Sequence, residues 1–185
     1  MKAPSAEFQS VVKASFDLAQ ELESEIITSA HILGAIMLAQ EDRTAQSILG
    51  MTSDIETLKQ SIHSEARIHG KDVLNKYKET PQQVPQGSLP MSDEAEAVIV
   101  DAMKVSAKAD IPADTRHIVV SMLDSHESLA HMILKGQVDV QQLRSELTTP
   151  PPPPPPQFNP ASPLLTPSRV LFLDGCSPST HVWVF

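Results

Sequence analysis

The chain states one apolar pattern twice: the landmarks around His31 recur around His117, 85 to 87 residues later. Such a duplication confines the fold to two copies of one supersecondary unit, packed so that each hides the other's apolar face. The period inside each copy is that of a helix, so the expected fold class is all-α: two four-helix repeats related by a pseudo-twofold axis.

In the first copy Phe8, Val11, Val12, Phe16 and Ala19 share one helical face and predict a helix from about Ala6 to Leu22. Thr28 stands as an N-cap three residues before His31, and Ile32, Leu33, Ile36 and Met37 form the stripe of a second helix. Ala45, Ile48 and Leu49 give a short third helix with Gly50 as its left-handed stop, and Asp54 caps a fourth carrying Ile55, Leu58 and Ile62. The second copy keeps this order. Ser92 caps a helix with Val98, Ile99, Ala102, Met103 and Ser106; Asp114 caps the next, three residues before His117. Ile118, Val119, Met122 and Leu123 then repeat the second helix, Ala130, Ile133 and Leu134 the third, and Asp139, Val140, Leu143 and Leu147 the fourth. The spacing falls from 87 at Ser15/Ala102 to 86 at the histidines and 85 at Leu49/Leu134, so each lost residue is absorbed in a connection.

The expected organisation is a helical domain over 1–148, with the first repeat at about 5–69, a linker at 70–90 and the second repeat at about 91–148. Pro81, Pro85 and Pro90 block helix continuation in the linker. Residues 149–185 are expected to be a polyproline spacer and a disordered tail. Pro150 to Pro156 are seven consecutive prolines, a stiff extended element, and the apolar runs Val170–Leu173 and Val182–Phe185 are too short for a core. A docking tail ending in Trp183-Val184-Phe185 is one reading of this segment, and the product of a truncation or of a changed reading frame within the proline codons is the favoured one.

Twenty-three acids against fourteen Lys and Arg give a net charge of −9, with no concentrated basic surface, which excludes nucleic acid as the expected partner. The longest apolar run, Ile32 to Ala39, is far below the roughly 20 residues of a membrane span. The N-terminus lacks a secretory-type apolar stretch, and the single Cys176 provides no disulfide framework, so a reducing, cytoplasmic setting is expected and no membrane partner. No G-x-x-x-x-G-K-[ST] phosphate loop is present. The expectation is a binding module, not an enzyme, with no cofactor and no metal.

The paired units resemble the Clp N-terminal (Clp repeat) domain found at the front of ClpA, ClpB and ClpC type AAA+ unfoldases. The resemblance covers about Ala6 to Leu147. It rests on the small residues Ser15, Ala19, Ala102 and Ser106, on the phrases Thr28-x-x-His31-Ile32-Leu33 and Asp114-x-x-His117-Ile118-Val119, and on the acidic caps Asp54 and Asp139. It implies noncatalytic recruitment of unfolded or tagged substrate proteins and of adaptor proteins, for delivery to a Clp AAA+ hexamer. The alternative is a free-standing adaptor or competitor that regulates such an unfoldase or its protease. Many family members carry Glu just before the histidine in both repeats, and in ClpC-like domains those acids help receive phosphorylated arginine. Here the positions are Ala30 and Arg116, so that site is not carried over, and Arg116 instead favours a carboxylate.

Candidate partner-binding residues are therefore Ala30, Arg116 and, at the junction of linker and second unit, Leu89 and Met91 as exposed apolar contacts. His31 and His117 invite a zinc or acid/base reading, but each follows a cap at the head of an apolar helix, where packing and backbone satisfy an imidazole. His63, His69, His126, His131 and His181 show no paired spacing with carboxylates, and no Ser/His/Asp set stands out. Met37, Met103, Met122 and Met132 are expected at core positions.

Overall fold

The computed structural model describes residues 2–72 and 89–149; the centre of the expected linker and the expected disordered tail beyond Thr149 lie outside them. Among the described residues there are eight helices: α1 (Ala6–Glu21), α2 (Ser29–Leu38), α3 (Arg43–Met51), α4 (Ile55–Asp72), α5 (Asp93–Lys108), α6 (Thr115–Asp124), α7 (Leu129–Gln137) and α8 (Val140–Thr148). They form one compact unit. The all-α duplication is as expected, and it extends to the caps. Ser5 and Ser92, 87 apart, accept the N–H of Phe8 and Ala95; Asp54 and Asp139 accept backbone N–H groups at the heads of α4 and α8.

Helices α1 and α5 end alike. Glu23 and Asp110, also 87 apart, take left-handed backbone angles (φ 53° and 52°), and the next N–H in each case reaches back to close the turn, Ser24 to the carbonyl of Ala19 and Ile111 to that of Ser106. This is a Schellman stop built without glycine, at a backbone cost of roughly 1 kcal/mol each.

The repeats interlock. Helix α2 packs on α1, α3 and α4 of its own repeat and on α5, α6 and α7 of the other; α4 lies against α7, and α8 lies against α3, the pseudo-symmetric pairing. The connections cross in the same way. Ser92 N–H donates to the Ile27 carbonyl and Ser5 N–H to the Ala113 carbonyl, both at 2.8 Å, and Ile27 and Met91 make an isolated parallel bridge. Close approach needs Gly34, because a Cβ there would sit 2.6 Å from Leu18 Cδ2 and 3.2 Å from Ile62 Cγ2, between α1 and α4.

Polar groups join the repeats as well. One Glu94 oxygen accepts from Ser29 N–H at 2.8 Å and the other from Leu129 N–H at 3.3 Å, so a single carboxylate caps α2 and α7 together. Glu94→Ala strands both donors and is expected to cost about 1–3 kcal/mol, read as a lower urea midpoint with an unchanged m-value.

Several sequence readings are corrected. Gly50 is not a left-handed stop, since α3 runs through it to Met51 and the extended Thr52 follows. Gly70 does not open the linker but lies buried inside α4, where a Cβ would meet Ser24 at 2.7 Å. Ile55 and Met132 are exposed, whereas Met37 and Met122 are buried and Met103 packs on the core from its edge. His69 does have a carboxylate partner one turn away, Glu65 at 3.3 Å. The repeats are also unequal: α4 has 18 residues, α8 only nine.

Candidate functional site

The two histidines are structural elements of the caps. His31 is fully buried at the third position of α2, and its Nδ1 accepts the Thr28 N–H at 3.0 Å. A backbone N–H can only donate, so Nδ1 is unprotonated and the proton sits on Nε2, 3.0 Å from Ser24 Oγ. Burial, helped by the nearby His63, lowers its pKa from 6.5 to about 4. In the second repeat His117 Nδ1 lies 3.2 Å from the Asp114 N–H and 2.7 Å from Asp114 Oδ1. Burial pushes the Asp114 carboxyl up, but hydrogen bonds and charge from Arg116 and His117 outweigh it and hold the group below the usual carboxylate range. Among the described residues no group of His, Cys, Asp and Glu is arranged to hold a metal ion.

The four partner-binding candidates fall in different environments. Ala30 is fully buried, so its side chain presents nothing to a partner in this conformation. Leu89 and Met91 are half-buried and pack on the core beside the Ile27 bridge, which corrects their reading as exposed contacts. Arg116 is half-buried and turned onto its own cap: Nε and Nη2 donate to Asp114 Oδ2 at 2.9 and 2.6 Å. Of the four, Arg116 lines a cleft, about 190 Å³, between α5, α6 and α8, with Val105, Ile111, His117, Val120 and Leu147.

A second, wider cleft of about 800 Å³ lies between α1 and the α2–α3 turn, lined by Glu7, Ser10, Leu38, Gln40, Glu41 and Asp42 among others. Leu38, 65% exposed, is its apolar landmark. Sequence reasoning missed Leu38, Val105 and Ile111. Leu38 is the last residue of an otherwise buried helix and reads as core; Val105 and Ile111 stand at the positions of the buried Leu18 and Ser24. For Val105 and Ile111 a signal lay in the repeat offsets, as α8 is shorter than α4, although the stripe of core residues does not display it; nothing in the pattern marks Leu38.

These features define a duplicated helical domain that displays aliphatic side chains beside clefts. The chain belongs to the Clp repeat (R) N-terminal domain family, whose profile matches residues 3–111. Comparison with curated proteins gave no match. Among solved structures it is similar to the Hsp104 N-terminal domain from Candida albicans (14% identity, TM-score 0.60, covering 79% of this chain and 89% of that one). It is also similar to the N-terminal domain of the caseinolytic protease associated chaperone ClpD from Arabidopsis thaliana (19%, 0.55, 78% and 94%). A third similar chain comes from a study of a malarial protein secretion system (13%, 0.57, 79% and 92%). At these identities the likeness is one of fold. Among the described residues no helix is long and apolar enough to cross a membrane.

Proposed function

We propose that this chain is a noncatalytic recruiting domain, holding unfolded or tagged proteins, or the adaptors that carry them, for a Clp-type AAA+ hexamer. The observation that carries this reading is the family match over residues 3–111, joined to clefts that expose Leu38, Val105 and Ile111. Aliphatic side chains left in water at a cleft gain from covering an apolar client segment, and short contacts of this size hold it weakly. Weak capture suits delivery, because a domain tethered to a ring gains through effective concentration what it lacks in affinity. The setting is cytoplasmic, and neither nucleic acid nor a membrane is a partner.

The test is a titration of the full chain into a fluorescent, permanently unfolded protein such as reduced, carboxymethylated α-lactalbumin. Saturable binding with Kd on the order of 10 μM is expected, with no binding to the native protein. Equal affinity for folded and unfolded forms, or none for either, overturns the proposal.

A further inference from the structure

The first repeat shows what the cleft between α5, α6 and α8 lacks. The apolar stripe of α4 runs Leu58, Ile62, Ala66, Gly70, all buried. Its first half has counterparts in α8, where Leu143 and Leu147 stand 85 residues on. Ala66 and Gly70 register on Pro151 and Pro155, which have no N–H to give a helix interior. In repeat 1 the second half of α4 lies on Ser24 and His31: a Cβ on Gly70 would be 2.7 Å from Ser24 Cβ and 3.4 Å from His31 Cε1. The counterparts of Ser24 and His31 are Ile111 and His117; those of Leu18 and Gly34 are Val105 and Val120. All four line the open cleft. Leu18 and Ser24 are 4% and 5% exposed, whereas Val105 and Ile111 are 41% and 39% exposed.

We infer that this cleft is a half-built helix seat that takes a short amphipathic helix from another protein, with small residues four apart and an acidic flank. The inference rests on the recruiting reading and deepens it by naming the class of partner. The helical form follows from what occupies the same seat in repeat 1. Small residues follow from the floor, which Val120 and Ile111 raise relative to Gly34 and Ser24. The acidic flank follows from charge. Among the described residues Arg116 is the one permanently charged side chain lining the cleft; Asp114 behind it pairs with Arg116 Nε and Nη2 and with His117, and Arg116 Nη1 remains as the donor directed to a partner's carboxylate. A second copy of this chain is a poor occupant, because its matching stripe is already buried in its own repeat. The segment 157–185 also fits badly: its longest proline-free run, 168–177, has no two small residues four apart.

The probe is a fluorescein-labelled, alanine-based helical peptide of about 16 residues with Glu along one flank, titrated into the full chain at low salt. Saturable binding with Kd on the order of 10–100 μM is expected, weakened about tenfold or more by Ile111→Glu or Val105→Glu, by Glu→Lys in the peptide, and by a central proline in the peptide. Both chain substitutions are at exposed positions, and an unchanged urea midpoint confirms that the fold is kept. Equal binding by the proline-broken peptide, or indifference to Ile111→Glu, overturns the inference. So does a spin label on Cys176 that broadens the Val105 and Ile111 methyl signals without peptide, which makes the chain's own tail the occupant. A self-association abolished by Ile111→Glu makes a second copy the occupant and overturns it equally. If the unaltered chain captures the unfolded protein but never binds the peptide, this inference fails and the recruiting role stands.

Discussion

Ile36→Ala is expected to lower the unfolding free energy by about 2–5 kcal/mol, in a single transition that involves both repeats. Ile36 is fully buried on α2, the helix that touches three helices of its own repeat and three of the other. Removing three carbons there forfeits their transfer free energy and leaves a cavity whose walls belong to several helices, so it collapses poorly. Met122 is its counterpart 86 residues on and is equally buried, and Met122→Ala is expected to cost a similar amount. Both variants should shift the urea midpoint of near-ultraviolet and far-ultraviolet signals together. Two separate transitions, each moved by one substitution only, would show that the repeats fold independently.

The second large effect is a loss of stability on mild acidification, traced to His31. Its folded pKa of about 4 lies below its ordinary 6.5, so the unfolded chain binds the proton more readily. The stability tied to the neutral ring is therefore complete above pH 6.5 and is lost as the pH falls from 6.5 towards 4, by up to about 3 kcal/mol. The structural cause is specific. Protonating Nδ1 expels the Thr28 N–H from its acceptor at the head of α2, inside a buried site where that donor has no ready substitute. Asp114, held below the usual carboxylate range, contributes the same way only at lower pH, since its share is lost as the pH falls through a depressed pKa. Urea titrations at pH 7.5 and 4.5 should show this drop, and His31→Gln should flatten it. If that variant does not fold, the His31 ring proton resonance in the unaltered chain serves instead: it should stay at its neutral position down to about pH 5. Titration near 6.5 would contradict the account.

The helices and their order were legible because a period-3.6 stripe stated twice leaves little freedom, and because Ser92, Thr28, Asp114, Asp54 and Asp139 cap where such residues should. What stayed hidden depended on three-dimensional closure. Glu23 and Asp110 end their helices in left-handed turns without glycine, while Gly50 and Gly70, the apparent punctuation, are ordinary helical residues. Gly70 is glycine because Ser24 crowds it, a contact between residues 46 positions apart that no local pattern reports. The candidate surface was the least legible part. A family position points to Ala30, and the fold buries it; a place beside the linker points to Met91 and Leu89, and pairing with Ile27 draws them onto the core. Arg116 does line a cleft, already engaged with Asp114. Exposure at Val105 and Ile111 arises from what α8 fails to cover, a consequence of helix length that a stripe of core residues does not display.

The most direct test of the recruiting role joins residues 1–185 in frame to a Clp-type AAA+ ring stripped of its own N-terminal domain, and follows ATP-dependent processing of an unfolded client. The account predicts faster processing than by the bare ring, at an ATPase rate per subunit that changes little without client. A fusion that handles clients no faster than the bare ring, while the chain within it remains folded, would contradict it.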